Sequence, residues 1–142
     1  MQTSQSTKNI ANALFEFQSK VGVVKKDGQN PFFKSTYATL SSVLETIAQP
    51  LRETGLTFTQ FPDGLNGLTT RVIHAESDEW IEANYVVTPA KNDPQGQGSA
   101  LTYQRRYALV AIFGLSQEDD DGNAASIKGA EKKKESVDDL DL

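Results

Sequence analysis

Residues 56–87 read LTFTQFPDGLNGLTTRVIHAESDEWIEANYVV. From Leu56 to Phe61 the side chains alternate, with Leu56, Phe58 and Gln60 on one face and Thr57, Thr59 and Phe61 on the other. Pro62-Asp63-Gly64 supplies a turn, and Leu68 to His74 is rich in Thr, Val and Ile. Glu76-Ser77-Asp78 supplies a second turn, after which Trp80 to Val87 alternates again. Period-2 runs joined by short turns predict an antiparallel meander of three strands.

The flanks have a different period. Ile10, Ala13, Leu14, Phe17 and Val21 recur at helical spacing, and Gly22 follows them. Leu40, Val43, Leu44, Ile47 and Leu51 form a second stripe. Ser42 and Glu45 have capping-box spacing, Thr39 is an alternative cap, Pro50 should loosen the last turns, and Gly55 suits the C-terminal end. Between these helices, Val23 to Thr36 reads as a loop or short extended piece, with turn signals at Asp27-Gly28 and Asn30-Pro31. Thr88 to Gly98 reads as a Pro/Gly/Gln-rich loop, and Ser99 as the N-cap of a third helix that Gly114 stops. The expected class is α+β in the order α-α-β-β-β-α, the meander packed on helices.

Charge divides the chain. The whole carries a net charge of -5, yet residues 1–117 hold 10 basic and 10 acidic side chains. Residues 118–142 hold 4 Lys and 9 Asp or Glu, with few large apolar residues. The expected organisation is a flexible end at 1–8, a folded core at 9–117 and an acidic, largely disordered tail at 118–142. A neutral core binds a polyanion only by clustering its cations on one face.

No apolar run reaches the ~20 residues of a membrane helix, and Met1 to Asn9 lacks the apolar stretch of a signal peptide. The chain has no cysteine, which excludes disulfides, thiolate metal sites and cysteine nucleophiles. A cytoplasmic location is expected. The single histidine, His74, falls in a predicted strand, and there is no P-loop or zinc motif, so an enzyme is not expected. The one chemistry left open is a carboxylate nuclease on Glu118 to Asp121; a non-enzymatic assembly protein without DNA contact is the other alternative.

The third helix is apolar on most sides: Leu101, Tyr103, Tyr107, Ala108, Leu109, Val110, Ile112 and Phe113, interrupted by Thr102, Gln104, Arg105 and Arg106. Such a helix is expected to be buried nearly all round, as a core element or partly by a neighbouring subunit. Arg105 and Arg106 beside tyrosines read, on pattern alone, more readily as internal ion-pair formers with packed tyrosines than as phosphate contacts.

Three stretches together resemble the ERF (essential recombination function) family of phage single-strand annealing proteins. They are Asn30-Pro31-Phe32-Phe33-Lys34-Ser35-Thr36-Tyr37-Ala38-Thr39-Leu40, then Gly98-Ser99-Ala100-Leu101-Thr102-Tyr103-Gln104-Arg105-Arg106-Tyr107-Ala108-Leu109, then Asp119-Asp120-Asp121-Gly122-Asn123. They occur in that order, with the meander between the second and third helices, and the resemblance covers roughly residues 8–125. It implies binding of single-stranded DNA, assembly into rings or filaments, and ATP-independent pairing of complementary strands. It also implies a neighbouring host single-strand binding protein, and a phage exonuclease is a further candidate partner.

Annealing needs a strand held by its phosphates with its bases readable. The candidate phosphate contacts are Lys34, Arg71, Arg105 and Arg106, and Lys25 and Lys26 extend the set. The candidate stacking rings are Phe32, Phe33, Tyr37 and Tyr103, with a core anchor the equal alternative for Phe33 and Tyr37. No cofactor is expected; Asp119, Asp120 and Asp121 are the candidates should a divalent cation bind. Asp138, Asp139, Leu140, Asp141 and Leu142 mix acid and aliphatic groups at the end of the chain. They are candidates for recruiting a partner or for competing with DNA over the basic groove.

Overall fold

A computed structural model describes residues 1–32 and 35–118. Their elements in chain order are β1 (Gln2–Thr3), α1 (Lys8–Lys20), β2 (Gly28–Asn30), β3 (Ser35–Tyr37) and α2 (Leu40–Thr54), followed by β4 (Leu56–Pro62), β5 (Gly67–His74), β6 (Glu79–Val86) and α3 (Pro94–Phe113). The α+β reading holds. The meander β4-β5-β6 is antiparallel throughout, with Phe58 opposite Val72 and Val72 opposite Ile81.

The structure adds two pieces that sequence did not give. Gln2 and Thr3, read as part of a frayed end, pair with Glu82 and Ile81, so the sheet has the order β1-β6-β5-β4. Two paired residues carry too little pattern to be seen in sequence. The segment read as a loop or short extended piece holds the hairpin β2-β3, with Gly28 opposite Tyr37. Gly28 permits a close approach there: a Cβ would fall 2.6 Å from Tyr37 Cζ, so a larger residue would have to displace the ring. The Tyr37 ring therefore lies over bare backbone.

Of the two caps expected for α2 one is realised, and the start of α3 differs from expectation. The α2 cap is Thr39, whose hydroxyl accepts from Ser42 N at 3.1 Å. Ser42 is itself inside the helix and donates to Lys25 O at 2.7 Å, so the Ser42–Glu45 capping box does not form. Asp27 accepts from the Thr39 hydroxyl at 2.8 Å, which ties the hairpin to α2 and is the main reason its carboxyl titrates below the ordinary value. Helix α3 starts at Pro94 rather than after Ser99, capped by Asp93, which accepts from Gly96 N at 2.7 Å. Asp followed by Pro at the first helical position is a strong start signal; the Gly and Gln residues after it obscured this. The end at Gly114, with φ 64, is as expected.

The core lies between one sheet face and the three helices. Ile10, Ala13 and Phe17 of α1, Val43 and Ile47 of α2, Leu56 and Val72 of the sheet, and Leu109 and Phe113 of α3 are all buried in it. Phe113 sits 5.0 Å from Phe17 and 6.1 Å, edge-on, from Phe58. One ring thus joins α1, α3 and the sheet, and burying a side chain of this size contributes about 1.5–3 kcal/mol.

On the helix-facing side of the sheet, at the start of β6, one carboxylate fastens α1. Glu79 is 7% exposed and accepts from Ile10 N and from Asn9 Nδ2, both at 2.9 Å. The Ile10 amide is the first cause of its lowered pKa. Because the folded value lies below the ordinary 4.5, the stabilisation is complete above that pH and is lost as pH falls through the lower folded value. Glu79→Gln is therefore expected to melt at a lower temperature than wild type at pH 7, with the gap narrowing below about pH 4.5. Circular-dichroism melts across that range measure it; a gap independent of pH would show that the charge contributes nothing.

Candidate nucleic-acid interface

Helix α3 is held on two flanks. Stepping 100° per residue, Gln104 lies on one flank and Leu109 with Phe113 on the other. All three are buried. Gln104 Nε2 donates to Asn66 O at 2.7 Å and Tyr85 O at 3.0 Å, tying the helix to the β4–β5 turn and the end of β6. Between these flanks the outward arc carries Tyr103, Arg106, Tyr107 and Val110. The expectation of all-round burial fails in the single chain, because one sheet face covers only one side: Tyr103 and Tyr107 are 41% and 42% exposed.

The outward arc faces the hairpin. The Arg106 guanidinium lies 5.1 Å from the Tyr37 ring centroid, 5.7 Å from Tyr103 and 5.2 Å from Tyr107. Tyr103 and Tyr107 are themselves 4.3 Å apart. The Tyr107 phenol, ahead of burial, raises the Tyr103 pKa above 10.0, so Tyr103 is uncharged at neutral pH. The cleft between hairpin and helix has a volume of about 680 Å³ and is lined by Asn30, Phe32, Tyr37, Ser99, Tyr103 and Arg106, among others. Phe32, 89% exposed, projects at its rim, its amide bonded to Asn30 Oδ1 at 2.9 Å. A cation among neutral rings beside an open cleft can hold a phosphate and stack unpaired bases.

Of the residues singled out in the sequence, the structure brings together Phe32, Tyr37, Tyr103 and Arg106. Arg105 is turned away toward the sheet, its Nε 3.4 Å from Gln60 Oε1. Lys25 and Lys26 lie on the segment before the hairpin and do not line this cleft; Lys26 N donates to Glu118 Oε1 at 3.2 Å. Arg71 lies apart from this cleft. The β5–β6 register sets it opposite Glu82, on the sheet face away from α3, where it pairs at 2.7 Å and stacks over Trp80 at 3.9 Å. Phe33, Lys34, Asp119, Asp120, Asp121 and the terminal Asp138, Asp139, Leu140, Asp141 and Leu142 lie outside the described residues.

Tyr107 and Gly28 belong to the site and were missed. Tyr107 could have been found, since it follows Tyr103 by one helical turn on the same face as Arg106. Gly28 could not, because its close approach exists only once the hairpin is paired. Among the described residues, no group of three or more His, Cys, Asp or Glu could hold a metal, and no helix is long and apolar enough to cross a membrane.

Residues 10–139 match the model of the ERF superfamily, and the chain belongs to that superfamily. Membership is consistent with a role in phage recombination. No curated protein and no solved structure matches the chain.

The presentation of the arc depends on Gln104. Gln104→Ala removes both donors and strands two carbonyls, an expected loss of about 2 kcal/mol in unfolding free energy. Urea denaturation measures it; a loss under about 0.5 kcal/mol would show that water replaces the amide fully.

Proposed function

We propose that this ERF-superfamily chain binds single-stranded DNA and pairs complementary strands without ATP, working as a homo-oligomer in phage or prophage recombination rather than as an enzyme. One observation carries the reading: Arg106 is ringed by Tyr37, Tyr103 and Tyr107 beside an open cleft. Arg106 supplies a sequence-independent phosphate contact. The rings and Phe32 supply stacking, worth about 1–3 kcal/mol per base and indifferent to base identity. Strands held this way keep their pairing edges available to a complement.

The neutral balance of residues 1–117 supports modest affinity per subunit, which assembly along one strand multiplies. An apolar groove of about 590 Å³ between α3 and β6, lined by Ile81, Ala83, Tyr85, Tyr107, Ala108 and Ala111 among others, supports such assembly. Its occupant in this reading is a second copy. Phe15, 72% exposed on α1, lies outside the groove, so a neighbour's Phe15 seated there makes a head-to-tail contact. Such contacts close into rings or extend as filaments. Groove and cleft both lie along α3.

Two outcomes are expected. Arg106→Gln weakens binding to single-stranded oligonucleotides and lowers the slope of log affinity against log salt by about 0.7, the value for one lost single-strand phosphate contact. Fluorescence anisotropy across a salt series reads this, alongside annealing of complementary oligonucleotides without ATP. Wild-type protein that binds duplex as well as single strands, or neither, would sink the reading. Ala111→Glu places a charge in the groove and is expected to shift the wild-type assembly toward monomer in sedimentation velocity; unchanged sedimentation would move the subunit contact elsewhere.

A further inference from the structure

A second cleft opens on the other side of Tyr103. It has a volume of about 630 Å³ and lies between the segment 87–93 and the start of α3, lined by Tyr85, Lys91, Asp93, Gln95, Ser99 and Tyr103 among others. Ser99 and Tyr103 also line the hairpin cleft, so the two clefts adjoin at these residues. We infer that this cleft is a second subsite for an unpaired nucleotide, contiguous with the hairpin cleft, in which Lys91 holds the phosphate and Tyr85 and Tyr103 receive the base. The inference rests on the single-strand reading above.

The cleft is built rather than incidental. A Cβ on Gly96 would collide with the Lys91 carbonyl, so the segment carrying Lys91 lies directly on the first turn of α3. Asp93 holds the same turn through Gly96 N at 2.7 Å. Asp93 is the one acid lining the cleft, and its Oδ1 is the atom that accepts from the backbone. Lys91 is exposed. Two cations, Lys91 and Arg106, therefore bracket Tyr103, each at its own cleft. A strand passing from one to the other meets a phosphate contact, a shared ring and a second phosphate contact. A sequence reading places Lys91 in a featureless loop; only the cleft gives it a partner.

The test uses the full chain and labelled oligo-thymidine of graded length. On long oligonucleotides Lys91→Gln is expected to bind several-fold more weakly than wild type, with a salt slope lower by about 0.7. Lys91→Arg should keep the wild-type slope. Lys8→Gln removes an exposed α1 charge that lines neither cleft and should also keep it. On oligonucleotides too short to span both clefts, the Lys91→Gln defect should shrink while the Arg106→Gln defect persists. If Lys91→Gln binds long oligonucleotides with wild-type affinity and slope while Arg106→Gln is impaired, the second subsite is wrong and the first stands. If wild type binds no single strand, both readings fall together.

Discussion

The structure depends on the two-flank grip on α3. Phe113 and Leu109 sink one flank into the aromatic and aliphatic core, while Gln104 fastens the other by two hydrogen bonds to backbone carbonyls. Apolar packing alone would leave the helix free to roll, because nearly every face of it is greasy. The amide specifies one rotation, since any other leaves a buried polar group unpaired. That rotation puts Tyr103, Arg106 and Tyr107 outward.

The same grip explains how one short helix serves several surfaces. A sheet face and two helices cannot cover twenty residues all round, so α3 keeps an aromatic, cationic arc toward the hairpin and an apolar arc toward β6. The hairpin completes the first of these. Gly28 lets Tyr37 lie on the backbone, and Asp27 ties the hairpin to the α2 cap, so Tyr37 reaches Arg106 from a fixed base. Rings positioned in advance lose little freedom on binding, which favours affinity from few contacts.

Charge follows the same division of labour. On the sheet face away from α3, Arg71 is neutralised by Glu82 and covered against Trp80. Lys20 approaches Glu53 at 3.9 Å on the helical side. In a core with equal numbers of acids and bases, attraction for a polyanion comes from placement, not from total charge. Among the described residues Arg106 has rings rather than carboxylates as its close neighbours, which leaves its field toward the cleft.

Much of this was legible in the sequence. Period-2 alternation marked the outer two strands of the meander and their faces, because core and solvent sides of a sheet demand opposite side chains, and Thr, Val and Ile content marked the middle one. Helical stripes at Ile10–Phe17 and Leu40–Leu51 fixed two helices, and Gly114 the end of the third. Phe32, Tyr37, Tyr103 and Arg106 were singled out from residue type and neighbourhood. Periodicity says nothing, however, about which of two adjacent arginines meets a neighbour: Arg105 and Arg106 differ by 100° of helix rotation, and Gln104 settles which points where. Nor does it give strand partners, so Arg71 looked as available as Arg106 until register set Glu82 beside it. The hairpin, the approach of Gly28 to Tyr37 and the second cleft at Lys91 join residues far apart in the chain. Local pattern decided the elements; contacts between distant segments decided the site.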